Sequence, residues 1–292
     1  MKVCVVMGGV SAEREVSLKT GNAVFDACRK LGFEVSQIVI KNDYKLFLKD
    51  FKNCDIVFNA LHGPIGEDGI IQLWFEENNI AYTGSGPKSS SICMDKNNSK
   101  KIVKDLGFTT PKWNLVSRGI SSSLINYPCI VKPSSQGSTY GLSIVNNAGK
   151  LNKAINFAKK YDSNVLIEEY ISGRELTVGI LDGKALPIVE IRPKHGIYDY
   201  ECKYKPGMSS YLCPAKLNDQ MTRKIKFDSE LIFKALGCKG YGRIDYMIDK
   251  NMNYYFLELN TLPGMTSTSL LPIAAKASNI SFNDLVHKII KA

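Results

Sequence analysis

Short apolar runs alternate with stretches of helical period over the first third of the chain. Val3–Met7 reads as a buried strand. Val16, Thr20, Ala23, Val24, Ala27, Cys28 and Leu31 then recur at helical spacing, and Gly32 stands where a helix stops. Val35–Ile40 and Asp55–Leu61 read as a second and third strand, followed by a helix over Ile70–Asn78. Strands alternating with helices predict a parallel sheet covered on both faces. Ligands gather at the carboxyl ends of such strands. The loops after Met7 and after Leu61, the second reading His62-Gly63-Pro64-Ile65-Gly66-Glu67-Asp68-Gly69, are therefore where a site belongs.

The pattern changes after Thr83-Gly84-Ser85-Gly86-Pro87, which marks a boundary. One helix over Ser90–Leu106 is followed by a strand at Cys129–Pro133, a polar loop at Ser134–Gly141 and a return strand at Leu142–Val145. A helix over Lys150–Lys160 and a strand at Val165–Ile171 close this unit. Glu175–Leu181 and Ala185–Ile191 flank Asp182-Gly183, a strong hairpin signal. Residues 195–213 show no clear period, as functional loops often do not. A helix over Asp219–Leu236, strands at Tyr241–Asp249 and Tyr254–Asn260, and two short helices complete the chain. The expected class is α/β, in three units: 1–86, 87–174 and 175–292.

Composition narrows this picture. The 292 residues are 44% hydrophobic and 23% charged, which fits a folded globular protein and not a disordered one. No run approaches ~18 apolar residues, so no membrane-spanning helix is expected. Eight cysteines are scattered singly beside three histidines. That pattern points away from zinc and toward reduced thiols in a cytoplasmic protein. The net charge of +10 comes from 31 Lys and 7 Arg. Base-specific nucleic-acid readout prefers arginine, so a lysine-rich surface and an anionic small ligand fit better than nucleic acid. The net is −2 over 1–86, +8 over 87–174 and +4 over 175–292.

Several constellations carry candidate chemistry. If Asp249 pairs with Tyr254, Asp245 lies opposite Glu258 and Arg243 opposite Asn260, all on one face. Like charges facing each other destabilise a sheet. Either water or a hard cation such as Mg²⁺ or Mn²⁺, bound by oxygen donors, would relieve them. On the other face Ile244, Tyr246, Ile248, Tyr255, Leu257 and Leu259 read as core. Lys132-Pro133 before Ser134-Ser135-Gln136-Gly137-Ser138-Thr139-Tyr140-Gly141 suits a phosphate cradle or a plain hairpin. Ser11-Ala12-Glu13-Arg14-Glu15-Val16-Ser17 suits a helix cap or the grip on a substrate ammonium. Tyr198–Tyr204 reads as an exposed loop or a lid that excludes water. His62, Glu67 and Asp68 shape their loop, and His195 and His287 read as surface or structural.

These segments, in order along nearly the whole chain, resemble the D-alanine–D-alanine ligase family of the ATP-grasp superfamily. Ala60–Gly69, Tyr82–Gly86, Met94-Asp95-Lys96, Leu166–Thr177, Gly237–Asp245 and Glu258–Ser269 add to the stretches above. The resemblance implies an ATP-grasp fold behind a Rossmann-like N-terminal unit. It also implies ATP-dependent joining of two D-alanines through a D-alanyl phosphate, for peptidoglycan precursor synthesis. Lys96, Lys132 and Lys203 would meet phosphates, Glu168, Glu169 and Ile171 the adenine, and Glu175 the ribose. Asp245, Glu258 and Asn260 would hold two Mg²⁺ or Mn²⁺ ions. Glu15, helped by His62, would bind the first D-alanine and join Ser138 and Tyr204 in one hydrogen-bonded set. Arg243 and Gly264 would face the oxyanion, and Ser269 and Leu270 the second carboxylate. A homodimer is implied as well. The chain departs from the family at Ser135-Gln136, commonly Arg-Glu, and at Glu169, often lysine. A D-Ala-D-Lac or D-Ala-D-Ser ligase, or another ATP-grasp amino-acid ligase, is the alternative.

Overall fold

The computed structural model describes residues 1–116, 126–194, 202, 205 and 207–292. Its first unit is a parallel sheet in the order β2-β1-β3, built from β1 (Lys2–Gly8), β2 (Glu34–Ile40) and β3 (Ile56–Asn59). Helix α1 (Arg14–Lys30) lies on it so closely that a Cβ on Gly21 would sit 2.6 Å from Met7 Cβ. On the other face, α2 (Leu48–Lys52) and α3 (Ile70–Glu77) cover Cys4, Val6 and Val57 with Phe51, Ile71 and Phe75.

Helices α4 (Pro87–Met94) and α5 (Lys96–Asp105) replace the single helix expected over Ser90–Leu106. Asp95 breaks the run: its backbone is extended, and its carboxylate accepts from Asn97 N and Asn98 N, starting a new helix. The two helices send Cys93 and Val103 into the core of the large sheet described next.

A four-stranded antiparallel sheet follows, in the order β4-β7-β5-β6: β4 (Trp113–Val116), β5 (Cys129–Pro133), β6 (Ser143–Val145) and β7 (Val165–Glu169). Helix α6 (Ala148–Ala158) covers it with Leu151, Ala154, Ile155 and Ala158. The largest sheet runs β11-β10-β8-β12-β13, with β9 beside β8. Its strands are β8 (Gly173–Leu181), β9 (Lys184–Ala185), β10 (Val189–Pro193), β11 (Ser209–Leu212), β12 (Tyr241–Asp249) and β13 (Tyr254–Asn260). Helix α7 (Asp219–Ala235) packs Ile225, Ile232 and Phe233 on it. Asp182 and Gly183 both take positive φ, 50° and 71°, and turn β8 into β9 as the Asp-Gly signal predicts.

The strand expected at Ala185–Ile191 is two pieces, because Pro187 has no N–H for a ladder. Strands β4 and β11 were not anticipated; each is four residues long and carries no alternation that marks it. Helices α8 (Leu270–Ala277) and α9 (Phe282–Lys291) return to the first sheet. Leu271, Ala274, Leu285 and Ile289 join Val5, Met7 and Val24 in one core.

Candidate active site

A cavity of about 420 Å³ opens between the four-stranded sheet and the large one. Lys96, Lys132, Ser138, Glu168, Glu169, Ile171, Glu175, Asp245 and Glu258 all line it. Thus the structure brings together most of the residues that the sequence places around a nucleotide. Lys96 gets there through Asp95. The Asp95 carboxylate accepts from Ser134 Oγ at 2.7 Å, and Lys96 N donates to Ser134 O at 3.0 Å. This fixes the first residue of α5 against the loop that follows β5. Lys96 Nζ then donates to Gln136 O (2.9 Å) and pairs with Glu258 (3.1 Å).

Lys132 and Glu168 lie diagonally across neighbouring strands, Glu168 being opposite Ile130, and pair at 2.5 Å. Glu168 also holds Lys100, which is completely buried. The sequence reading missed Lys100; it stands four residues after Lys96, on the same face of α5. Burial pushes the Lys132 ammonium down to about 8 and that of Lys100 well below the lysine range, the latter aided by the Lys132 charge. At Ser135 and Gln136, where the chain departs from the family pattern, the main chain carries the local contacts. Ser135 N donates to Asp162 (2.8 Å), and Gln136 offers its carbonyl oxygen to Lys96. Glu169 Oε2 accepts from Lys112 N.

On β12 and β13, Asp245 is paired with Glu258 and Arg243 with Asn260, as expected. The route to that register differs. Ile248, not Asp249, pairs with Tyr254, and a bulge at Asp245/Tyr246 restores the alignment. The bulge also inverts the alternation that the sequence suggests on the first half of β13, while Leu259 lies in the core as expected. Phe256 is buried in the core, while Leu257 lines the cavity and Tyr255 is only half-buried. Arg243 grips Asp245 through two hydrogen bonds, 2.9 and 2.7 Å, and Thr177 Oγ1 donates to the same carboxylate at 2.6 Å. Asn260 Oδ1 accepts from Leu262 N. Two carboxylates and an amide on one face offer only oxygen to a metal, which suits a hard divalent cation.

The substrate-side residues lie beside this cavity, outside its lining. Here the structure corrects an assignment. Glu15 points to solvent, while Glu13 is buried (5% exposed) and accepts a hydrogen bond from Ser138 Oγ. Glu13 precedes α1 and turns inward; Glu15, two residues on, lies on the outer side of its first turn. The Glu13 carboxylate sits in a niche between two glycines. A Cβ on Gly63 or Gly137 would come within 2.9 or 3.0 Å of its Oε2. Ser138 itself takes φ 49°, in the left-handed region, to make this contact.

Ser17 ties the two loops of the first sheet together. Its Oγ accepts from Gly8 N (2.8 Å) and donates to Ala60 O (2.6 Å). His62 is buried between Glu67 (Nδ1, 3.0 Å) and Thr20 (Nε2, 2.9 Å). The carboxylate assigns the proton to Nδ1 and leaves Nε2 to accept from the threonine hydroxyl. Thr20 Oγ1 also takes Met265 N at 3.4 Å, linking His62 to the loop of Gly264. Ser269 precedes α8, and its Oγ accepts from Thr266 N at 3.0 Å, 3.1 Å from where a Gly264 Cβ would lie. Leu270 begins that helix. Lys203, Tyr204, His195 and the rest of Tyr198–Tyr204 except Cys202 lie outside the described residues. His287 stacks on Phe33, as a structural residue does. All eight cysteines are free thiols, and no described helix is long and apolar enough to cross a membrane.

Two antiparallel sheets closing on a lysine-lined cavity, with a carboxylate pair at its edge, define an ATP-grasp fold. Residues 102–291 match the model of the D-ala D-ala ligase C-terminus, and residues 46–85 that of the N-terminus. The chain is 45% identical over 294 residues to a D-alanine–D-alanine ligase of Aquifex aeolicus, covering 99% of this chain and 100% of that one. It is 44% identical over 291 residues to the enzyme of that name from Syntrophotalea carbinolica, covering 99% and 95%. The crystal structure of D-alanine–D-alanine ligase from Bacillus anthracis complexed with ATP superposes with a TM-score of 0.88 at 35% identity, covering 100% of this chain and 96% of that one. A D-Ala:D-Ser ligase from Enterococcus faecalis gives 0.85 at 30%, covering 99% and 98%. The chain belongs to the D-alanine–D-alanine ligase family.

Proposed function

We propose that the protein joins two D-alanines to D-alanyl-D-alanine at the expense of ATP, releasing ADP and phosphate, as a step toward peptidoglycan precursors. The contact between Ser138 and Glu13 carries this reading, because it joins the loop after Lys132 to the N-terminal segment. A carboxylate suited to an amino acid's ammonium thus borders a cavity suited to a nucleotide. A carboxylate resists attack by an amine until it has a good leaving group. The γ-phosphoryl of ATP therefore passes to the carboxylate oxygen of the first D-alanine, giving an acyl phosphate and ADP. The amine of the second D-alanine then attacks the carbonyl carbon, and phosphate departs.

The chain's task is positioning and charge neutralisation. Lys96 and Lys132 meet the phosphates, Glu168 and the main chain at Ile171 the base, and Glu175 the ribose. Glu13, supported by His62, holds the first ammonium. Arg243 and Gly264 N–H face the oxyanion. Ser269 and Leu270 N–H receive the second carboxylate at the start of α8. Asp245, Glu258 and Asn260 would hold Mg²⁺ or Mn²⁺, whose charge offsets that of the phosphates.

Incubation with ATP, Mg²⁺ and D-alanine is expected to release phosphate and yield a product with the mass of the dipeptide. Failure to release D-alanine-dependent phosphate would sink the proposal. Faster turnover with D-serine or D-lactate as the second substrate would replace it by the alternative.

A pH profile tests the lysine role. A Lys132 that titrates near 8 is charged below that pH and neutral above it. A phosphate contact needs the charged form, so kcat/KM for ATP is expected to fall about tenfold from pH 7 to pH 9. Lys132→Arg keeps its charge over this range and is expected to flatten the fall. An unchanged slope in that variant assigns the titration to another group.

A further inference from the structure

We propose that Lys100 is a positioning residue for nucleotide recognition: a fixed counter-charge that holds Glu168 for the base while Lys132 turns to the phosphates. The inference rests on the reading that ATP occupies the cavity with its adenine at Glu168. Glu168 holds two ammonium groups in the structure, those of Lys100 and Lys132. The two lysines are not equivalent. Lys132 lines the cavity, and its side chain is 11% exposed, so it can reach a ligand. Lys100 is absent from the lining and is 0% exposed, so it can act on a ligand only through Glu168.

Lys100 is also clamped from behind. Its ammonium lies 5.2 Å from the centre of the Trp113 ring, and Trp113 is the cross-strand partner of Glu168 on β4. The ring is pinned in turn, because Trp113 Nε1–H donates to Asn97 Oδ1 at 3.1 Å. Asn97 and Lys100 both belong to α5, so helix, ring, lysine and glutamate form one closed circuit. When Lys132 leaves Glu168 for a phosphate, a carboxylate buried to 2% exposure must not lose its last cation. Lys100 is the cation that stays, and the departure of the Lys132 charge removes one of the causes that lower its pKa. A carboxylate so held accepts a hydrogen bond from the exocyclic amine of adenine and repels the keto oxygen of hypoxanthine.

The test compares kcat/KM for ATP and for inosine triphosphate, which differ at that group and in the proton on the adjoining N1. Lys100→Met is expected to raise the KM for ATP about tenfold, to leave kcat within about threefold, and to cut the ATP preference at least about fivefold. Lys100→Arg is expected to retain the preference. In the Glu168→Gln background, Lys100→Met is expected to shift the preference no further, as a residue acting through Glu168 must. This pair of variants also serves if Lys100→Met alone fails to fold, since it buries one charge fewer on each side. Two results overturn the proposal: a folded Lys100→Met enzyme with unchanged preference, or a further shift beyond about threefold in the Glu168→Gln background. A Glu168→Gln enzyme with unchanged preference would instead remove Glu168 from the base site, and the role of Lys100 with it.

Discussion

Glu258→Gln is expected to lower D-alanine-dependent turnover by ~10³-fold or more while leaving the fold intact. The carboxylate faces Asp245 across β12 and β13, at the edge of the cavity where transferred charge must be offset. The activity loss follows from removing one of two anionic oxygen ligands from a site made for a hard cation. The stability effect is small for a different reason. Glu258 pairs with Lys96 at 3.1 Å, and its carboxylate side chain is 29% exposed. Such a pair contributes little, and Lys96 keeps its hydrogen bond to Gln136 O. The melting temperature is therefore expected to move by less than about 3 °C. Asp245→Asn should behave differently. Asp245 is 6% exposed and holds Arg243 and Thr177, so its loss is expected to cost both activity and stability. Calorimetry beside steady-state assays separates the two cases. If Glu258→Gln unfolds, the carboxylate pair is structural.

Glu13→Gln carries the second large effect. The variant keeps the shape of the niche between Gly63 and Gly137 but removes the charge that attracts an ammonium. kcat/KM for the first D-alanine is expected to fall by ~10²- to 10³-fold, with the KM for ATP nearly unchanged. Glu15→Gln is expected to stay within about twofold of the parent, since Glu15 is exposed on α1. Initial-rate measurements over a range of D-alanine concentrations decide between them. A large effect at Glu15 with none at Glu13 would reverse the assignment.

The contrast between these two glutamates shows what a sequence makes legible. The segment Ala12–Ser17 announces itself as a site motif, but two carboxylates two residues apart are equivalent as letters. Only the turn into α1 decides which faces inward. The pairing of Asp245 with Glu258 was legible because both strands are long and bounded by polar turns. The bulge was not, since Phe256-Leu257 is a run of two apolar residues with no phase of its own. Asp95 looks like one more polar position in a helix until its cap contacts are seen, yet it is what aims Lys96. Lys100 hides among the lysines of α5, because burial of a charged residue leaves no mark in the local pattern.

The packing of α8 and α9 on the first sheet bears on how the protein is made. A ribosome releases β1, β2, β3 and α1 early, and Val5, Met7, Val24 and Phe58 are then ready to bury apolar surface. Their partners Leu271, Ala274, Leu285 and Ile289 follow much later in the chain. Until α8 and α9 leave the exit tunnel, that side of the nascent domain lacks part of its cover and stays a surface for chaperones.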